Sequence, residues 1–344
     1  FAWSEDGTQI AFSAAEPEPQ QKKDRKGHLG DFEVVRGDYT HAHLWTLVVA
    51  DALKAPVAGT QRTKGTQLHV GSFAWSPDGT HIAFSATANP DLVQGGTADL
   101  HVIDLASDTV RPLVTQPGPD SNPRWSPDGT QVAFSSAMGR PDYYHANSRV
   151  AVVPAGGGTP RSLTDGFDEN PGLLTWATDG AIYFSASQKT AAHLFRLDPA
   201  TGTHTRVSAP DALIGGSFSL ARDARQLAFV AASPTSMGEV FVSATAPFQP
   251  RQLTAATRQL DALIVGSREV VAWKSQDGEP IEGVLVKPAN FDPSRKYPGL
   301  VVIHGGPTGV DRPTLIDMRY YPVSPLVSNA RNDVPACLDP IDEA

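Results

Sequence analysis

Residues 300–307 read Leu-Val-Val-Ile-His-Gly-Gly-Pro, an apolar run that closes in a glycine-rich turn. The run predicts a buried strand. Adjacent glycines after it let backbone N–H groups approach an oxygen on which negative charge develops. In acyl transfer each such donor contributes on the order of 3 kcal/mol to the transition state. The chemistry within reach of His304, Gly305, Gly306 and Pro307 is therefore hydrolysis through a tetrahedral oxyanion.

A nucleophile for that chemistry would sit in a G-x-S-x-G elbow, followed by an acid and a histidine. No serine of the 344 residues has that context. The nearest approach, Gly215-Gly216-Ser217-Phe218-Ser219, lacks the final glycine and matches the lead-in Gly71-Ser72-Phe73, so it reads as a strand edge. Asp317, Asp333, Asp339 and Asp342 supply carboxylates, but with no serine elbow they compose no triad. No catalytic nucleophile, acid or base is assigned in this chain, and the chain by itself is expected to be inert toward peptides.

Other short patterns carry less. His41-Ala42-His43 puts two imidazoles on one strand face, half of a metal site, yet spacing supplies no third ligand and no metal is expected. Arg36-Gly37-Asp38 matches an adhesion tripeptide by letters alone and reads as a turn. Ala155-Gly156-Gly157-Gly158-Thr159 lacks the Lys-Ser/Thr ending of a phosphate loop and reads as an inter-strand connection.

The elements that must position any site come from a repeat. Trp3-Ser4-Glu5-Asp6-Gly7 returns as Trp75-Ser76-Pro77-Asp78-Gly79 and Trp125-Ser126-Pro127-Asp128-Gly129. Weaker copies follow at Trp176-Ala177-Thr178-Asp179-Gly180 and Leu220-Ala221-Arg222-Asp223-Ala224. The later copies recur every roughly 44–51 residues, the spacing of four-stranded propeller blades. Asp and Gly make the phrase a turn, the carboxylate bonding nearby amides and glycine accepting positive φ. Each turn runs into an alternating strand such as Ile82-Ala83-Phe84-Ser85, then into a second strand pair. The expected fold is mainly β, a multi-bladed β-propeller whose aromatic residues pack between blades. The chain opens on Phe1 inside a repeat, which predicts a cut edge upstream of the first blade.

The first interval is longer because residues 15–43 are inserted. Its Glu-, Pro-, Gln- and Lys-rich beginning, including Lys22-Lys23-Asp24-Arg25-Lys26, reads as a mobile, solvated loop. Past Thr254 the blade phrase gives way to Trp273-Lys274-Ser275-Gln276-Asp277-Gly278 and Ile281-Glu282-Gly283, with Lys287-Pro288 beyond. Residues 1–266 are thus assigned to the propeller, 267–308 to a linker and the first strands of an α/β-hydrolase domain, and 309–344 to an unassigned tail.

Composition narrows the partners. A net charge of −9 opposes binding to nucleic acid or an anionic membrane, both of which need clustered cations. One cysteine, Cys337, excludes an internal disulfide. No apolar stretch approaches the roughly 20 residues of a membrane span.

The repeats, the Trp-Lys-Ser…Asp-Gly…Ile-Glu-Gly…Lys-Pro linker and the His-Gly-Gly-Pro turn together resemble the prolyl oligopeptidase family of serine peptidases. The insert reading Gly30-Asp31-Phe32-Glu33-Val34, with His43-Leu44-Trp45 after it, is most similar to the acylaminoacyl-peptidase and dipeptidyl-peptidase branch. The resemblance implies a propeller that admits short peptides to an α/β-hydrolase site, with no cofactor. It implies that His304, Gly305, Gly306 and Pro307 line the oxyanion hole, and that an insert carboxylate grips a substrate amino terminus. Glu33 is the candidate, against a solvated or structurally paired glutamate. A chain of this kind would be a fragment of such a peptidase, with unpaired edges that favour self-association. The alternative is a non-catalytic TolB-type propeller that binds peptides or proteins.

Overall fold

A computed structural model of the chain describes residues 1–32, 34, 37, 39–208, 213–303, 305 and 309–315. It is mainly β, and among the described residues its strands form five four-stranded antiparallel sheets and one hairpin. Each four-stranded sheet contains one copy of the repeated phrase, as the turn between its first and second strands, and its strands lie in chain order from first to fourth. These are the blades of the propeller fold expected from the repeat.

The turn that joins the first two strands of a blade closes for a definite reason. In the second copy, Ser76 Oγ donates to Asp78 Oδ1 at 2.6 Å, and the Thr80 amide donates to the same oxygen at 3.0 Å. The His81 amide returns to Ser76 Oγ at 2.9 Å. Gly79 completes the turn at φ +71°, a conformation that L side chains resist. The first and third copies repeat these bonds through Ser4/Asp6 and Ser126/Asp128. In the worn fifth copy Ala224 occupies the glycine position, still at φ +53°.

The chain separates into two compact units. One comprises Phe1–Phe184 with Arg196–His204, the other Ser185–Phe195 with Thr205–Ala344, so the division falls within the fourth sheet.

In the first unit, the strand His81–Thr87 shows how burial follows the period of two. Ile82 and Phe84 join a core with Leu44 and Val70, while Ala83 packs on the other face with Val132 and Phe134. Both faces are covered because a sheet stacks on either side. A polar outward face, which alternation alone suggests, is therefore absent here. The tryptophans add directed bonds between sheets. Trp75 Nε1 donates to the Ala2 carbonyl and Trp125 Nε1 to the Ala74 carbonyl, each at 3.1 Å. Trp176 instead turns to its own blade and donates to Gly180.

The insert corrects one expectation. Its basic run is not a loop: Gln20–Leu29 is an α-helix with no buried residue. Long unbranched side chains favour helix there. Lys26 bridges Glu18 at 3.2 Å and Asp31 at 3.1 Å, Arg25 lies over the Phe32 ring, and Gly30 ends the helix at φ +88°.

In the second unit, Gly215, Gly216 and Ser217 lie within the strand Ile214–Leu220 and break its register in a bulge, with Ser217 at φ +47°. That is an edge irregularity and not a nucleophile elbow. The linker strands Ser267–Lys274 and Pro280–Lys287 pair as a hairpin, turning at Gly278 with φ +93°. Glu282 from this hairpin meets Lys189 at 3.0 Å and accepts from the Thr190 hydroxyl at 3.1 Å. The apolar run 300–303, read as a buried strand, is exposed and unpaired among the described residues, Val301 and Ile303 at 83% and 87%. No strand forms there among the described residues, and apolarity without a ladder to join does not bury a segment.

Candidate functional site

Most residues singled out for chemistry lie outside the described residues: Glu33, Arg36, Asp38, His304, Gly306, Pro307, Cys337 and the four aspartates from Asp317 onward. Gly305 is described; it is exposed, and a side chain there would meet nothing within 4 Å. The functional groups that the structure does bring together belong to the insert in the first unit.

The hairpin that carries the insert pairs Gln9–Ala15 with Ala42–Val48, Ala14 opposite His43 and Ala15 opposite Ala42. One step further, the Glu16 amide donates to the His41 carbonyl at 3.0 Å. This register sets the Glu16 carboxylate against both imidazoles. Its oxygens lie 3.8 Å from His41 Nδ1 and 3.7 Å from His43 Nε2. Both rings are buried, and neither of those two nitrogens has a hydrogen-bond partner. The outer faces of the rings are held: His41 Nε2 reaches the Ala88 carbonyl at 3.2 Å, and His43 Nδ1 reaches Thr63 Oγ1 at 3.2 Å. A third imidazole, His69, stands 6.3 Å from His41 and accepts the Ala42 amide through Nδ1.

Burial pushes the His43 imidazole below its ordinary range; Glu16 opposes that shift and His41 adds to it. His69 is lowered for the same first reason, then by His41 and His43. Among the described residues no group of three His, Cys, Asp or Glu side chains is arranged to hold a metal ion.

Glu16 also faces a cavity of about 410 Å³, whose wall includes Pro19, Lys22 and Arg25 at and within the helix and Tyr39 and Thr40 just before the returning strand. The Tyr39 hydroxyl donates to Asp91 at 3.1 Å, which anchors this side of the wall. A carboxylate at a cavity wall, with cations further round it, suits a ligand that carries an ammonium group and an anionic or carbonyl end. Sequence reasoning passed over Glu16. The signal was available in the hairpin: once Phe12 is set opposite Trp45, constant register carries Glu16 to His41.

Similarity to known proteins bears on what such a cavity serves. The model of the dipeptidyl peptidase IV N-terminal region matches residues 76–138. Dipeptidyl-peptidase 5 of Porphyromonas gingivalis is 27% identical over 243 residues, 68% of this chain and 34% of that protein. Dipeptidyl-peptidase 5 of Arthroderma otae is 25% identical over 258 residues, 70% of this chain and 35% of that one. The comparisons support a propeller region of the prolyl oligopeptidase peptidase family. The chain spans about a third of the length of the curated relatives it matches. Among solved structures, the acylaminoacyl peptidase of Pyrococcus horikoshii superposes with a TM-score of 0.64 at 14% identity, covering 86% of this chain and 44% of that one. Puromycin hydrolase does so with a TM-score of 0.60 at 18% identity, covering 80% and 43%. At such identities these two structures speak for the fold.

Proposed function

We propose that this chain is the propeller and linker portion of a serine-type peptidase, of the acylaminoacyl- or dipeptidyl-peptidase kind, acting on short peptides. In this reading residues 1–266 form the propeller that gates access, and residues 267–308 begin the hydrolase domain. His304, Gly305, Gly306 and Pro307 hold the oxyanion through backbone donors. A carboxylate of the insert receives the substrate's free amino terminus. Glu33 is the candidate named by the sequence, and Glu16, with its place at the cavity wall, is a second. The observation that carries the proposal is this carboxylate-bearing cavity in an insert of a chain that resembles dipeptidyl-peptidases.

The mechanism is acyl transfer: serine attacks the carbonyl, histidine moves the proton, and the glycine-rich turn stabilises the tetrahedral oxygen. Of these roles only the last has residues in this sequence. Loss of a catalytic serine lowers turnover by a factor of about 10⁶ in subtilisin. The purified chain is therefore expected to leave aminoacyl and acyl-aminoacyl chromogenic substrates uncleaved while still binding a dipeptide by calorimetry. Hydrolysis above a propeller-free blank would refute the missing nucleophile. Dipeptide binding that survives unchanged in both Glu16→Gln and Glu33→Gln would refute the amino-terminus site.

A further inference from the structure

The carboxylate of Glu16 has two sides, one toward the cavity and one toward two buried imidazoles. The state of those imidazoles follows from their other bonds. A carbonyl only accepts, so the contact with Ala88 fixes the neutral His41 proton on Nε2. Nδ1 then turns a lone pair toward a carboxylate oxygen 3.8 Å away, an arrangement that repels. Protonation replaces that lone pair with an N–H and reverses the sign. His43 points its own unpartnered Nε2 at the second carboxylate oxygen, 3.7 Å away, from a fully buried position.

We propose that His41 and His43 form a proton-operated clamp on Glu16, which draws the carboxylate from the cavity on acidification and weakens its hold on a cationic amine. The ligand half of this inference rests on the amino-terminus reading of the cavity; the clamp itself does not.

The surroundings supply the charges that could interfere. From its own strand His43 faces His41, whose ring stacks at 6.3 Å. The strand His69–Trp75 presents His69, a third imidazole that disfavours a second proton nearby. Tyr39 approaches His41 edge-on at 6.5 Å with its hydroxyl committed to Asp91. The helical segment contributes the cations Lys22 and Arg25 to the cavity wall. Glu16 is thus the carboxylate placed to answer a proton on either ring, and burial sets His43 to take its proton below the ordinary histidine range.

The test uses the full chain, first without any ligand. Long-range ¹H–¹⁵N ring spectra are expected to show neutral His41 as the Nε2–H tautomer. The His43 titration midpoint should fall by about one pH unit in Glu16→Gln, as the opposing charge is removed. An unchanged His43 midpoint, or a neutral His41 that carries its proton on Nδ1, overturns the clamp. With ethylammonium as probe, Kd should rise about fivefold or more from about pH 7.5 to about pH 5.5. That rise should disappear in the double variant His41→Gln/His43→Gln, and its persistence there overturns the coupling. If ethylammonium fails to bind at either pH while the ring signatures hold, the ligand class is wrong and the clamp stands.

Discussion

Asp120 shows how far one buried residue departs from its type. Its side chain is fully buried; Oδ1 accepts from Ser136 Oγ at 2.6 Å and from Gln116 Nε2 at 3.0 Å. Oδ2 has no partner. Burial pushes the carboxyl up to about 6, the two hydrogen bonds oppose this, and Asp99 adds a like charge. A raised carboxyl binds its proton more tightly folded than unfolded. The stabilisation is complete below the unfolded value of 3.8 and is lost as pH climbs through about 6. At neutral pH the cost of the charge is on the order of 2–3 kcal/mol. Asp120→Asn keeps an acceptor for Ser136 and Gln116 and removes the charge. Denaturation at about pH 5 and about pH 8 should show the variant gaining on the wild type by roughly 1.4 kcal/mol at the higher pH. Equal differences at both pH values would remove the charge from the account. This aspartate is not marked in the sequence, since Asp looks alike exposed or buried.

At the scale of elements, the blade turn was legible almost bond for bond. Ser, Asp and Gly at fixed offsets permit one hydrogen-bonding pattern, and the structure repeats it in the first three copies. Two glycines separate backbone strain from crowding. At Gly79, φ is +71° and an added Cβ meets nothing within 4 Å. Gly79→Ala should therefore cost only the left-handed penalty, about 1–2 kcal/mol. At Gly118, φ is +81° and the added Cβ would sit 2.6 Å from the Ala137 methyl and 2.7 Å from the Arg140 carbonyl oxygen. Gly118→Ala should cost at least 1–3 kcal/mol more, by overpacking on top of strain. Thermal unfolding of the two variants decides it, and equal losses would mean that Arg140 and Ala137 give way freely. The helix Gln20–Leu29 was the element misread, because a polar, charged run has no apolar period and reads as disorder. Salt bridges to Glu18 and Asp31 hold a helix that buries nothing.

For the whole molecule, the exposed apolar run 300–303 is a liability that the described residues do not cover, with Leu300 at 60% and Val301 at 83% exposed. Contiguous exposed apolar surface drives association. Val301→Lys combined with Ile303→Lys is expected to raise the monomer fraction in sedimentation velocity, with little change in melting. A wild-type chain that already sediments as a sharp monomer would contradict this. By itself the sequence determined the mainly β blade architecture, the turn chemistry and the likeness to a peptidase family, because each rests on local patterns repeated along the chain. Only tertiary structure decided that both faces of the strand His81–Thr87 are buried, that Trp75 and Trp125 bond across sheets while Trp176 does not, and that Glu16 meets His41 and His43. Those facts depend on which distant segments arrive at a given face, and hydrophobic alternation carries no record of that.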